Sequence, residues 1–102
     1  MSAPLTTEIA RRIAILFGAD DVGLVSSLLT DECGSNLTEH PELWERIRCA
    51  VLKLSHGDLN ALGRAIDLAK RDWRDALVAA GFADDITAHE SWWPVGPTVA
   101  PS

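Results

Sequence analysis

Two blocks in the second half of the chain carry side chains that could act on a ligand. The first is Asp72–Trp73–Arg74–Asp75. A guanidinium flanked by carboxylates and set beside an indole could grip an anionic or planar molecule, because arginine offers a rigid fork of donors and stacks on aromatic faces. The second is His89 with Trp92 and Trp93. Histidine titrates near neutral pH, so it could serve as a general base or a pH switch. If the blocks converge, Trp73, Arg74, His89 and Trp92 line one ligand-binding pocket. Each block also has a structural reading. Asp72 caps a helix, Trp73 fills the core, and Arg74 ties the helix start to a neighbouring carboxylate. His89 hydrogen-bonds to backbone while a tryptophan covers the edge of the core. No partner for His89 stands at catalytic spacing.

Other chemistries find less support. Cys33, Cys49, His40, His56 and His89 are the available soft and imidazole ligands. They never pair as C-x-x-C, H-x-x-x-H or E-x-x-H, the close spacings from which structural zinc sites are built. No metal site and no cofactor are expected. Ser55 and His56 are adjacent, but neighbouring side chains diverge on a helix or turn. There is no G-x-S-x-G elbow and no glycine-rich phosphate loop. Nothing in the sequence marks an enzyme.

Charge narrows the partners. Nine basic residues are scattered among fifteen acidic ones, for a net charge of −6. A nucleic-acid binder needs clustered lysine and arginine to neutralise phosphates, so nucleic acid is not expected, and anionic membrane surfaces are disfavoured for the same reason. An acidic mimic of nucleic acid would need a face of one sign, whereas these carboxylates are mixed with arginines. The first residues, MSAPLTTEIARRIAILFG, place their arginines inside the apolar stretch and Glu8 ahead of them. That is the pattern of neither a signal peptide nor a spanning helix, so a cytosolic chain with reduced Cys33 and Cys49 is expected.

The elements that must carry these residues are helical. At 102 residues the chain has material for one core, burying about 65% of the surface of its unfolded form. Alanine and leucine dominate the apolar residues, and no segment alternates with period two. Thr6 caps a helix from about Thr7 to Phe17, with Ile9, Ile13, Leu16 and Phe17 on one face and Gly18 as a left-handed stop. A second helix follows Asp20 or Asp21, buries Val22, Val25, Leu28 and Leu29, and ends near Cys33–Gly34. The loop Gly34–Ser35–Asn36 leads to a third helix over Pro41–Leu54, with Leu43, Ile47, Ala50 or Val51, and Leu54 inward and Glu42–Arg46 as an exposed pair. Trp44, Val51 and Leu52 lie off that stripe and imply burial on two sides. Gly57 stops this helix and Asp58 caps the next. Leu59, Leu62, Ile66, Ala69, Trp73, Ala76 and Ala80 continue in one phase, which predicts a single long helix. Asp72 predicts a new start, with Asp75 in a box-like position. A break or kink near Arg71–Asp72 reconciles them. Gly81–Phe82 predicts a left-handed cap with Phe82 folded back onto Leu77 or Val78. A short last helix runs from Asp84 or Asp85 to Trp92 or Trp93, and Pro94 ends it. The reading is one all-α domain over 1–93, five or six short helices in irregular, orthogonal packing, followed by a flexible tail over 94–102.

The run Gly57–Trp92 resembles a family of small uncharacterised bacterial proteins. The elements that carry the resemblance are Gly57–Asp58–Leu59, Ala65–Ile66, Asp72–Trp73–Arg74–Asp75, Ala80–Gly81–Phe82 and Ala88–His89 with Trp92. It implies a helical domain of bacterial origin and transfers no function and no catalytic residue.

Four tryptophans in a domain without tyrosine must be placed. Trp44 and Trp73 fall at inward or edge positions. Trp92 and Trp93 are about 100° apart on a helix, so one of them shows apolar surface. Large exposed aromatics mark partner surfaces. The expected function is a non-catalytic protein–protein interaction module, self-associating or binding another protein, through an interface containing Trp44, Trp92 and Trp93. The competing expectation is a small-ligand-binding protein or enzyme with a pocket at Trp73, Arg74, His89 and Trp92.

Overall fold

The computed structural model describes residues 5–34, 37–85 and 87–94, with the backbone alone at positions 41 and 42. All regular structure among them is helical: α1 Thr7–Phe17, a 3₁₀ turn Ala19–Asp21, α2 Val22–Glu32, α3 Pro41–Ser55, α4 Leu59–Ala80 and α5 Ala88–Ser91. Residues 95–102 of the expected tail and the loop residues Ser35 and Asn36 lie outside the described residues. The radius of gyration, 12.6 Å, is that of one compact domain of this length.

Local chemistry sets the ends. The Thr6 hydroxyl accepts the Ile9 N–H at 3.3 Å and starts α1. Gly18 has a positive φ of 81°, yet its ψ of 169° is extended, so α1 closes without the expected left-handed turn. At the end of α3 it is His56 that takes the left-handed conformation, at φ 52° and ψ 27°. Gly57 follows with φ 81° and presses against α1: a Cβ there would lie 2.7 Å from the Leu16 carbonyl oxygen. Only glycine fits both the conformation and the space. Asp58 then accepts the Asn60 N–H and opens α4.

Helix α4 keeps its apolar phase through a kink. Asp72 has φ −160° and ψ 99°, and its carboxylate caps the second half by accepting the Arg74 N–H at 3.0 Å. The bond goes to Arg74, one residue short of the box-like Asp75. Leu62, Ala65, Ile66, Ala69, Ala76, Leu77 and Ala80 are buried along it, while Leu59, in the first turn, is 38% exposed rather than part of the stripe. Gly81, at φ 82° and ψ 19°, ends it. The Gly81 N–H reaches the Val78 carbonyl and the Phe82 N–H the Leu77 carbonyl, the paired bonds of a Schellman cap. Phe82 and Leu77 are buried in the core and Val78 faces solvent.

Helix α3 is the centre of the domain. It packs along α4 and also meets α1 and α5. Residues 46–52 are buried without a break, so the middle of α3 is enclosed on all sides, beyond the two expected. Arg46 is part of that buried run and not a partner in an exposed pair; the Glu42 side chain lies outside the described residues. Cys33 and Cys49 are free and buried. The last helix is shorter than expected, because Asp85 spends its carboxylate on the Thr87 N–H and hydroxyl and holds a turn there. No helix among the described residues is long and apolar enough to cross a membrane.

Candidate functional site

The least expected feature is a set of buried arginines. Arg12, Arg46 and Arg48 are 1%, 8% and 4% exposed. Each donates to main-chain carbonyls where a helix ends, the negative end of its dipole. Arg48 Nε bonds the Leu29 and Cys33 oxygens at the close of α2. Arg46 Nη2 bonds the Phe82 oxygen just past the cap of α4. Arg12 reaches furthest along the chain: Nε bonds the Trp92 oxygen at 3.0 Å, and Nη2 bonds the oxygens of His89 at 3.0 Å and Glu90 at 3.3 Å. One side chain of α1 thus holds the whole C-terminal turn. Arg12 lies in the stripe of Ile9 and Ile13, at helical spacing, and that position is the one signal in the sequence that could have marked it.

Aromatic rings cover this clamp. The Arg12 guanidinium sits 4.0 Å from the Trp93 ring centroid and 5.8 Å from that of Trp92. Trp92 is half-buried and tilted against Phe82 at 6.1 Å. Trp93 is 42% exposed. One tryptophan is inward and one outward, as expected, but not for the helical reason: α5 ends at Ser91 and Trp92 is extended, at φ −82° and ψ 127°, so neither ring is placed by a helix.

His89 is 6% exposed. Its ring is not tied to backbone: Nδ1 has no hydrogen-bond partner, and Nε2 lies 3.9 Å from Glu45 Oε2. Its pKa is lowered, chiefly by burial, against the pull of Glu45 and Glu90. Burial likewise pushes the Cys33 and Cys49 thiols up to about 12, which keeps both as inert thiols. The Arg48 pKa is lowered by burial.

Beside the clamp is a recess of about 380 Å³ lined by Glu8, Arg12, Glu45, Glu90 and Trp93. Helices α1, α3 and α5 each supply one glutamate. No carboxylate among the described residues comes within ion-pairing distance of Arg12, and its Nη1 is buried with no acceptor.

The four residues of the expected pocket split into two groups. His89 and Trp92 meet through Phe82, which lies 6.4 Å from the His89 ring. Trp73 and Arg74 pair with each other: the Arg74 guanidinium is 4.7 Å from the Trp73 centroid, and no carboxylate among the described residues takes it. Among the described residues, no hydrogen bond, ion pair or ring contact joins the second group to the first. Trp44 is half-buried in α3, with its indole N–H on the Thr38 oxygen and Arg48 over its ring; it is not part of the recess around Trp93. Among the described residues, no group of three or more His, Cys, Asp or Glu could hold a metal ion.

No protein-family model matches the chain, and no curated protein and no solved structure matches it.

Proposed function

We propose that this chain is a non-catalytic protein-interaction module whose contact surface is centred on Trp93. The observation that carries the reading is the way Trp93 is held. Its ring is 42% exposed while the buried Arg12 guanidinium supports it at 4.0 Å. A tryptophan fixed outward loses little side-chain freedom when a partner covers it, and tryptophan and arginine are the residues that most often dominate interface energetics. Leu24, Leu59 and Val78 are further exposed apolar side chains. Of the expected interface residues, Trp92 serves as the inward support and Trp93 as the contact. The competing pocket of Trp73, Arg74, His89 and Trp92 has less support, since among the described residues no hydrogen bond, ion pair or ring contact links its Trp73–Arg74 pair to His89 and Trp92.

The partner open to test with the pure chain is a second copy. Light scattering after size-exclusion chromatography, over a wide concentration range, should show reversible association that Trp93→Ala abolishes while its circular dichroism stays unchanged. A strict monomer at every concentration would remove self-association from the proposal.

A further inference from the structure

After Phe82 one side chain anchors the return of the chain to the core. Among the described residues 83–85 and 87–94, His89 alone is buried. Ala88, Trp92 and Pro94 are half-buried and the rest are exposed. An aliphatic anchor would hold such a turn at any pH. A histidine holds it only in the protonation state its surroundings accept.

The surroundings of His89 accept the neutral ring. Neutral imidazole carries one N–H and one bare nitrogen, whereas imidazolium donates from both. With the single N–H on Nε2, Nδ1 is left as a lone pair. A second N–H there would have no acceptor, because Nδ1 is buried without a hydrogen-bond partner. Glu45 Oε2 stands 3.9 Å from Nε2, beyond hydrogen-bond reach. A buried charged donor with its bond unmade is costly. Three carboxylates act on the ring: Glu45 of α3, Glu90 of α5 and Asp85 in the preceding turn. Two guanidiniums oppose them, Arg46 of α3 and Arg12 of α1. Glu90 and Asp85 are exposed, so water screens them, while both arginines are buried. Burial of the ring is the largest influence, and its pKa lies below the ordinary value.

The other bonds of this turn converge on one residue. Three of its carbonyls hang on Arg12, and Trp93 rests on the same guanidinium. The chain ahead of it is fixed separately, by Arg46 on the Phe82 oxygen. Residues Thr87–Trp93 can therefore leave together, with Phe82 staying in the core. We propose that this turn is a latch, docked while His89 is neutral and released when the ring takes a proton. Release lifts Trp93 off its support, so the latch regulates the Trp93 contact, a role that rests on the interaction reading.

The four tryptophans provide the test. In the dilute nitrogen-15-labelled chain, the Trp92 and Trp93 indoles should move from about pH 7.5 to about pH 5, in step with the His89 ring resonances. Nuclear Overhauser contacts between Trp93 and Arg12 should fade with them. Trp44 and Trp73, outside the turn, should stay. The ratio of released to docked turn, read by relaxation dispersion while release is the minor state, should rise by about tenfold for each pH unit below about 6.5 until the docked pKa is passed. In His89→Asn that ratio should not depend on pH, whatever its level. A ring that titrates with the Trp93–Arg12 contacts intact overturns the latch, as does movement of all four indoles together, or an undiminished pH dependence in His89→Asn. Light scattering at the two pH limits reads the regulation separately. The parent should dissociate in acid, and His89→Asn should associate equally at both. Association that persists with the turn released removes the regulatory role. A turn that releases in a chain that never associates leaves the latch standing and removes the interaction reading.

Discussion

Arg12 is the residue on which the C-terminal turn depends. Truncation strips three carbonyls of their donor and leaves them without the charge they were turned toward. Arg12→Ala should therefore lower unfolding stability in urea by about 3 kcal/mol. Arg12→Lys should recover less than half, because an ammonium cannot present the planar fork or stack under Trp93. Full recovery by lysine would mean that charge alone, and not the fork, holds the turn. His89 gives a second prediction. Its folded pKa is depressed by burial, while in the unfolded chain it returns to about 6.5. The unfolded state then binds more protons below that value, so stability is complete above pH 6.5 and declines as pH falls toward the folded pKa. The groups facing the ring decide how far: Glu45 and Glu90 ease protonation, Arg12 and Arg46 oppose it. His89→Asn should flatten that part of the acid limb in urea unfolding measured at successive pH values; an unchanged slope would assign the acid limb to other groups. Residues such as Thr6, Asp58 and Asp72 were legible in the sequence because a cap needs only its own neighbours. Arg12 and Arg46 were not, because nothing local tells an arginine on an apolar stripe from one that snorkels to water. What buries them is a set of carbonyls many positions away.

Helix ends follow the same rule of locality. Gly81–Phe82 was readable as a cap because all of its bonds lie within six residues. The kink of α4 was readable for the same reason, as a conflict between an unbroken apolar phase and a capping aspartate. The sequence marks Gly57 as the stop of α3, but it is His56 that takes the left-handed conformation there, with Gly57 needed one step later for its contact with Leu16. That contact joins α1 to the α3–α4 turn and could not be seen from spacing. It sets up a paired prediction. Gly57→Ala puts a methyl 2.7 Å from a backbone oxygen at φ 81°, and should cost about 2 kcal/mol or more. Gly63→Ala falls in the exposed interior of α4 with nothing within 4 Å, and should stabilise by about 0.5–1 kcal/mol, since alanine gives up less backbone freedom. Thermal unfolding of both variants would show shifts of opposite sign. A loss of stability in Gly63→Ala would mean that α4 is strained in its first half as well as at Asp72.

At the scale of the molecule the surface charge exaggerates the acidity of the composition. The chain carries −6 overall, yet three of its nine basic side chains are buried, which leaves the outside more acidic than the net charge states. The all-α class was legible because periodicity and composition are properties of the whole chain; this segregation of charge was not, because burial of arginine is a tertiary event. It has a direct consequence for association through Trp93. Two copies approaching by that end bring Glu8, Glu45 and Glu90 of one toward the same groups of the other, and like charges in partial contact with solvent repel until salt screens them. Apolar contact of the tryptophans does not weaken with salt in that way. Self-association should therefore strengthen as sodium chloride rises from about 0.02 to 0.5 M, as the screening length falls from roughly 20 Å to a few ångströms. The double variant Glu8→Gln/Glu90→Gln should associate at low salt as the parent does at high salt. Sedimentation equilibrium across the salt series reads both. Association that weakens with salt would show that the contact is made by opposite charges, and would move it away from the acidic rim of Trp93.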